Sequence, residues 1–214
     1  LEKYHDLATR VLDMKPDEAH PGKIAVFLFS SQDQVPAFAR RVEKRRPMSG
    51  ETASFVAEDD KLLVAAAPLA GKLIIPAEAR AGEMIAALLL QRKAKVRTPL
   101  PDWLVQGFGR ATSYRVLGLS AKWVAEERKA NRLLARKYPL GDIWSGKGEA
   151  GVVEPMQASF VEFLSYGLGS ARFTRILKGF EPEEGQASKT IVQAIDQAGL
   201  TMDRVQKAWK RWVK

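Results

Sequence analysis

The run from Ala81 to Leu90, AGEMIAALLL, leaves this chain few options. Its residue types favour a helix, and Met84 to Leu90 is apolar on every side, so the helix must lie inside the fold. Pro76 is a good first-turn residue because that position needs no N–H donor, and the pattern predicts a helix over 76–91. The run is too short, and too interrupted by Glu83, to span a bilayer. Glu83 is its one carboxylate. A buried carboxylate takes a partner or shifts its pKa upward, and Arg80, Arg110 and Arg115 are the candidate partners. Gly82 costs about 1 kcal/mol relative to Ala inside a helix, so its presence points to a close packing contact.

A second helix is expected from Pro101–Asp102, with Asp102 as its cap and Trp103, Leu104, Phe108 and Ala111 along it. Residues 82 and 86 are i and i+4 and share one face of the first helix. Aligned on Glu83 and on Trp103-Leu104-Val105-Gln106-Gly107, the pair resembles the HExxH zinc peptidases of the gluzincin type, especially the peptidase MA-like bacterial branch. There, HExxH is followed on the next helix by a Trp-Leu-x-Glu-Gly-x-Ala segment that supplies a third ligand. On that resemblance Gly82 and Ala86 stand where the two histidines would be, and Gln106 stands for the third ligand. Glu83 is the vestigial general base, and Trp103 and Gly107 line the cleft.

A catalytic zinc takes three protein ligands from His, Cys or carboxylate and keeps an open water position. Gly82 and Ala86 carry no donor atoms, and a neutral Gln amide is a poor ligand. Without a metal-bound water, Glu83 has nothing acidic to deprotonate. The chain has no Cys and only two His, His5 and His20, both near its start. The resemblance therefore implies a catalytically inactive, pseudo-peptidase domain with no zinc. The vacated metal position would leave room for water or a ligand, and the cleft would hold a peptide, protein or glycan partner or serve a structural role. An active hydrolase with a non-standard site built on Glu83 is one alternative. A basic module for nucleic acid or an anionic surface, motivated by a net charge of +9, is another. The cations are dispersed and no nucleic-acid-binding signature is present, so nucleic acid is not the expected partner.

The remaining chain reads as α+β: a small N-terminal mixed sheet with a hairpin, then a mostly helical, zincin-like body. One domain over 1–214 is expected, with strands in about 1–75 and helices in about 76–214. An amphipathic helix covers 1–13, and a loop bounded by Pro16 and Pro21 contains His20. Lys23–Ser30 is apolar almost throughout and is expected as a central strand. Ser31–Lys44 is a helix with Val35, Phe38, Ala39 and Val42 inward, ending in the basic Lys44-Arg45-Arg46. Thr52–Ala57 and Lys61–Ala67 form a hairpin. Gln91–Thr98 is a basic connection.

Lys122–Lys137 is a charged helix with Trp123, Ala130, Leu133 and Leu134 inward, and a Gly-rich loop is expected over 146–154. Gly146-Lys147-Gly148 lacks the rest of a phosphate-loop pattern. Helices follow over Pro155–Tyr166, from a cap at Ser170 to Gly179, from a cap at Ser188 to Ala198, and from a cap at Thr201 to the end. The last places Val205, Ala208, Trp209 and Trp212 on one face. The sequence opens on Leu1 rather than Met and is read as a mature or partial chain, a reading compatible with a removed leader. The resemblance implies an exported, periplasmic or envelope-associated protein.

Overall fold

The computed structural model describes residues 1–19, 23–58, 61–71, 74–94, 100–141, 150–181 and 189–213. Helix α1 (Glu2–Val11) and a single turn α2 (Pro16–Ala19) precede strand β1 (Ala25–Leu28). Helix α3 (Gln34–Phe38) runs into a wider π turn over Ala39–Glu43, and strands β2 (Ala53–Ala57) and β3 (Leu62–Ala66) follow. The helical part comprises α4 (Ala77–Ala94), α5 (Asp102–Leu117), α6 (Lys122–Lys137), α7 (Ala150–Glu162), α8 (Ser170–Lys178), α9 (Ile191–Gln197) and α10 (Met202–Trp212). The architecture is α+β, with a small mixed sheet and a helical body, as the sequence leads one to expect.

The sheet order is β1-β3-β2. β2 and β3 form the antiparallel hairpin, from Ala53 opposite Ala66 to Ala57 opposite Leu62. β1 lies parallel to β3, with Ala25 opposite Leu63 and Leu28 opposite Ala66. A parallel pair needs a crossover, and α3 lies within it. β1 is thus an edge strand, not the central strand its composition suggests. Phe27 and Phe29 pack on Phe38 with ring centroids 4.7 and 5.6 Å away, while Val26 on the opposite face meets the main core. Ala25, Phe27 and Leu28 are exposed, so the apolar run reports neither two covered faces nor two paired edges.

Helix α4 is the spine. Leu88, Leu89 and Leu90 have no exposed surface, although they point in three directions. Each such burial stabilises by about 1.5–3 kcal/mol. The same apolar cluster takes in Leu62 and Val64 of β3, Leu104 and Phe108 of α5, Phe160 of α7, Phe173 of α8 and Trp209 of α10. Phe108 stacks on Phe173 at 5.7 Å, and Phe160 meets Trp209 edge-on at 5.9 Å. The final helix keeps its expected face: Thr201 accepts the Arg204 N–H as a cap, and Val205 and Trp209 are buried. Among the described residues no helix is long and apolar enough to cross a membrane.

Several local expectations shift. Pro16 starts a helical turn in place of a loop, because Glu18 accepts the Lys15 N–H at its start. The π turn after α3 inserts an extra residue and rotates the register. Val42 therefore turns outward, and Glu43 turns inward to Ser54 Oγ at 2.7 Å and Arg45 Nε at 2.7 Å. Pro101, not Asp102, is the residue before α5, and Asp102 makes no cap bond. Arg92 and Lys93 belong to the last turn of α4, where cations favour the helix dipole, and Lys93 Nζ reaches Glu18 Oε2 at 3.0 Å.

On α6 Trp123 is buried and Leu134 half-buried as expected, but Val124, Asn131 and Ala135 complete the inward stripe and Leu133 is exposed. α7 begins at Ala150 and contains Pro155 in its interior, so the expected loop ends earlier. Ser170 is the first residue of α8, and its Oγ donates to the Val11 carbonyl instead of capping. Thr190 caps α9 through a reciprocal capping box with Gln193. His20, Gly146-Lys147-Gly148, the cap at Ser188 and the connection after α4 (95–99) lie outside the described residues.

Candidate functional site

Glu83 sits where α4 and α5 cross. Its residue is 1% exposed, which decides its chemistry: a carboxylate there must be ionised and paired, or neutral. It is paired twice. Arg80, one turn earlier on α4, bonds Oε2, and Arg110 of α5 bonds Oε1 at 2.8 Å. Of the three arginines the sequence offered, Arg115 goes elsewhere, to Glu162. Burial pushes the Glu83 carboxyl up, but Arg110 and then Arg80 outweigh it and hold it below the usual carboxylate range.

The network continues away from Glu83. Arg110 also donates to Glu127 of α6, through Nε at 3.1 Å and Nη2 at 2.7 Å. Tyr114, one turn beyond Arg110, donates to the same carboxylate at 2.6 Å. The Arg110 guanidinium lies 4.5 Å from the centre of the Trp123 ring. Burial opposes the charge on Arg110, yet Glu83 and Glu127 more than offset this and raise its pKa. Burial, reinforced by the charge on Glu127, also keeps the Tyr114 phenol protonated well past its ordinary range. The result is an alternating chain, Arg80–Glu83–Arg110–Glu127–Tyr114, that ties α4, α5 and α6 together.

Two glycines permit this geometry. A Cβ on Gly109 would stand 2.4 Å from the Glu83 carbonyl oxygen, so only Gly lets α5 approach α4 here. A Cβ on Gly82 would stand 2.6 Å from three ring atoms of Tyr4. The Tyr4 ring, brought in by α1, fills the space that a side chain at 82 would need. This corrects the expectation of room for water or a ligand beside Gly82. The Tyr4 hydroxyl accepts from Ser113 Oγ at 3.3 Å.

The other sequence-predicted positions separate. Ala86 is fully buried on α4, one turn after Gly82. Gln106 is exposed. Trp103 is half-buried against the main core, and a Cβ on Gly107 would meet Val161 of α7 at 2.8 Å. These residues do not fit a zinc ion. Gly82 and Ala86 offer no donor, Gln106 offers only an amide facing solvent, and both oxygens of Glu83 are already held by guanidinium cations. The same two guanidinium groups lower the proton affinity of Glu83.

Beside the network opens an apolar cleft of about 760 Å³. Tyr4, Ala79 and Trp123 form its inner wall, Leu1 and Ile74 its exposed lip, and Glu78 and Lys122 place one charge of each sign on its lining. Tyr4 and Trp123 belong to both features: one packs on Gly82, and the other lies under Arg110. No signal in the sequence joins Tyr4 to Gly82, because the contact spans the distance from α1 to α4. Glu127 was hidden in a helix of ordinary surface composition. Neither a protein-family model nor a characterised protein or solved structure matches this chain.

Proposed function

We propose that this chain is a catalytically inactive domain of zinc-peptidase type whose cleft beside Tyr4, Ala79 and Trp123 binds an apolar segment of a peptide or protein. The observation that carries the reading is the pairing of Glu83. At the position the resemblance gives to a general base beside zinc, guanidinium groups from Arg80 and Arg110 supply the positive charge. A cation bonded covalently into the fold needs no ligand set, and the small residues at 82 and 86 are then free to pack. The adjacent cleft is large enough for one or two side chains, and its lining is mostly apolar, as ligand sites are.

The test is binding of a peptide library to the purified protein, followed by the tightest binder against Ala79→Arg. Ala79 is on the cleft wall, so a long cation there blocks the apolar floor. Expected is selection of peptides with adjacent aliphatic or aromatic residues, with binding lost in the variant. Peptides that bind equally to Ala79→Arg, or no selection at all, would remove the basis of the reading.

A further inference from the structure

A second pocket, of about 370 Å³, lies between α5, α6, α7 and α10, and shares no lining residue with the apolar cleft. Arg115 of α5 and Arg128 and Arg132 of α6 line it, with one carboxylate, Glu162 of α7, among them. Three cations against one anion leave two positive charges in surplus. Arg115 bonds Glu162 Oε1 through Nε, at 2.7 Å, and its guanidinium lies 5.3 Å from the centre of the Tyr166 ring and 5.5 Å from that of Trp212. Arg128 bonds the same oxygen through Nη2, at 2.6 Å, and lies 5.5 Å from the centre of the Tyr114 ring. The buried Glu162 and these rings fix both guanidinium groups in place.

The way Glu162 is held leaves donors unspent. One guanidinium satisfies a carboxylate through two parallel bonds, and Arg110 does this for Glu127 in the same chain. Glu162 instead takes a single bond from each of two arginines, both on one oxygen. Both terminal nitrogens of Arg115 and Nη1 of Arg128 are without a hydrogen-bond partner among the described residues, and the two side chains are 37% and 31% exposed. These nitrogens are therefore accessible. Arg132, one turn along α6 from Arg128, is exposed and forms no ion pair among the described residues. Neutralising Glu162 needs one arginine, and the chain sets three beside it against their mutual repulsion. Accessible guanidinium donors from two helices, fixed from behind and carrying two surplus charges, are what an oxyanion requires.

We propose that this pocket binds the phosphoryl group of a small phosphate monoester. Such a group carries close to two negative charges at neutral pH and three terminal oxygens, which match the surplus charge and the three arginines. The oxygens accept from the terminal nitrogens of Arg115, from Nη1 of Arg128 and from Arg132. Glu162 is a positioning residue: it orients Arg115 and Arg128 and does not touch the ligand. The organic part rests on the exposed Leu119 and on Val213 at the rim. A carboxylate ligand, with one charge and two oxygens, would leave one charge and part of the donor set unmatched. The volume is at the small end of the range for ligand sites, roughly 300–1,000 Å³, and suits a phosphoryl group with a few carbon atoms.

The experiment is a titration of ¹⁵N-labelled protein, read at the indole N–H of Trp212, whose ring lies beside Arg115. The probes are n-butyl phosphate, inorganic phosphate, sulfate and pentanoate. Expected is a saturable shift with n-butyl phosphate at millimolar concentration or below, and weaker binding of the other three. Arg132→Gln, at an exposed position where folding is not at stake, should weaken n-butyl phosphate about tenfold, the loss of one charge-assisted contact. Arg115→Lys keeps the charge, loses the planar fork and should weaken it at least as much. Arg40→Gln, at an exposed arginine of the π turn after α3, lowers the net charge equally and should leave the affinity unchanged. The proposal is overturned if no probe gives a saturable shift, or if pentanoate binds as tightly as the ester. Sulfate or inorganic phosphate binding as tightly as the ester would mean an adventitious ion only, and overturns it too. So does an equal loss in Arg40→Gln and Arg132→Gln, which would reduce the effect to overall charge.

Discussion

Replacing Arg110 by Met tests the ionic chain where it branches. Met keeps an apolar stem of similar length over Trp123 and removes three of the contacts described above: the 2.8 Å bond to Glu83 and the bonds of 3.1 and 2.7 Å to Glu127. Glu127 is partly exposed and recovers water. Glu83 does not, and keeps only Arg80. Removing one partner of a buried pair costs about 3–5 kcal/mol, and the remaining Arg80 places the expectation at about 3 kcal/mol. That is a sizeable part of the roughly 5–15 kcal/mol that stabilises a domain, and for a chain of this length it lowers Tm by about 6–12 °C.

The loss also depends on pH, with a sign set by Glu83. Its folded pKa lies below the ordinary value of 4.5, so in the native chain its contribution is present above that value and lost as pH falls through the folded one. In the variant, burial is opposed by Arg80 alone, and the carboxyl pKa moves up. The variant therefore sheds its penalty as Glu83 protonates. The gap between the two proteins should narrow from pH 7 toward pH 4.5. Urea unfolding followed by circular dichroism across that range measures it. A second variant, Glu83→Gln, completes a double-mutant cycle, and the double variant should be less destabilised than the sum of the singles. A loss below about 1 kcal/mol, or a gap that does not change with pH, would refute the reasoning that Arg110 holds a buried anion.

Gly109→Ala should destabilise by about 3 kcal/mol, since its methyl would meet backbone, the Glu83 carbonyl, and must push two helices apart; thermal unfolding measures this. Gly82→Ala gains about 1 kcal/mol in helix propensity but crowds the Tyr4 ring, so a net loss is expected, with partial rescue by Tyr4→Ala. Restoring a peptidase-like motif with Gly82→His, Ala86→His and Gln106→Glu should yield no zinc retention after dialysis. The His at 82 would collide with Tyr4, and Arg80 and Arg110 would repel the ion; retention of stoichiometric zinc would contradict this.

How far the sequence led can be argued from α4. Its burial followed from a run apolar on all sides, and the need for a partner at Glu83 followed from that burial. Arg80 was legible because i and i+3 on a helix are neighbours. Arg110 was legible as a candidate, but choosing it over Arg115 required the crossing point of α4 and α5, which Gly109 sets through a backbone contact. Tyr4 and Glu127 were not legible. Each reaches the site from a separate helix, and helical periodicity gives a residue's face without naming what that face meets. β1 shows the same limit, as does Leu133: a leucine in an amphipathic helix was expected inward, yet Asn131 holds the inward position.

The most direct measurement is metal content together with hydrolysis. Purified protein, equilibrated with zinc and then dialysed, should retain far less than one zinc per chain. It should release no product from a broad peptide mixture, with or without chelator. One tightly held zinc per chain, with peptide cleavage that stops when a chelator removes it, would contradict the account of Glu83 as an anion held by arginines on an inactive scaffold.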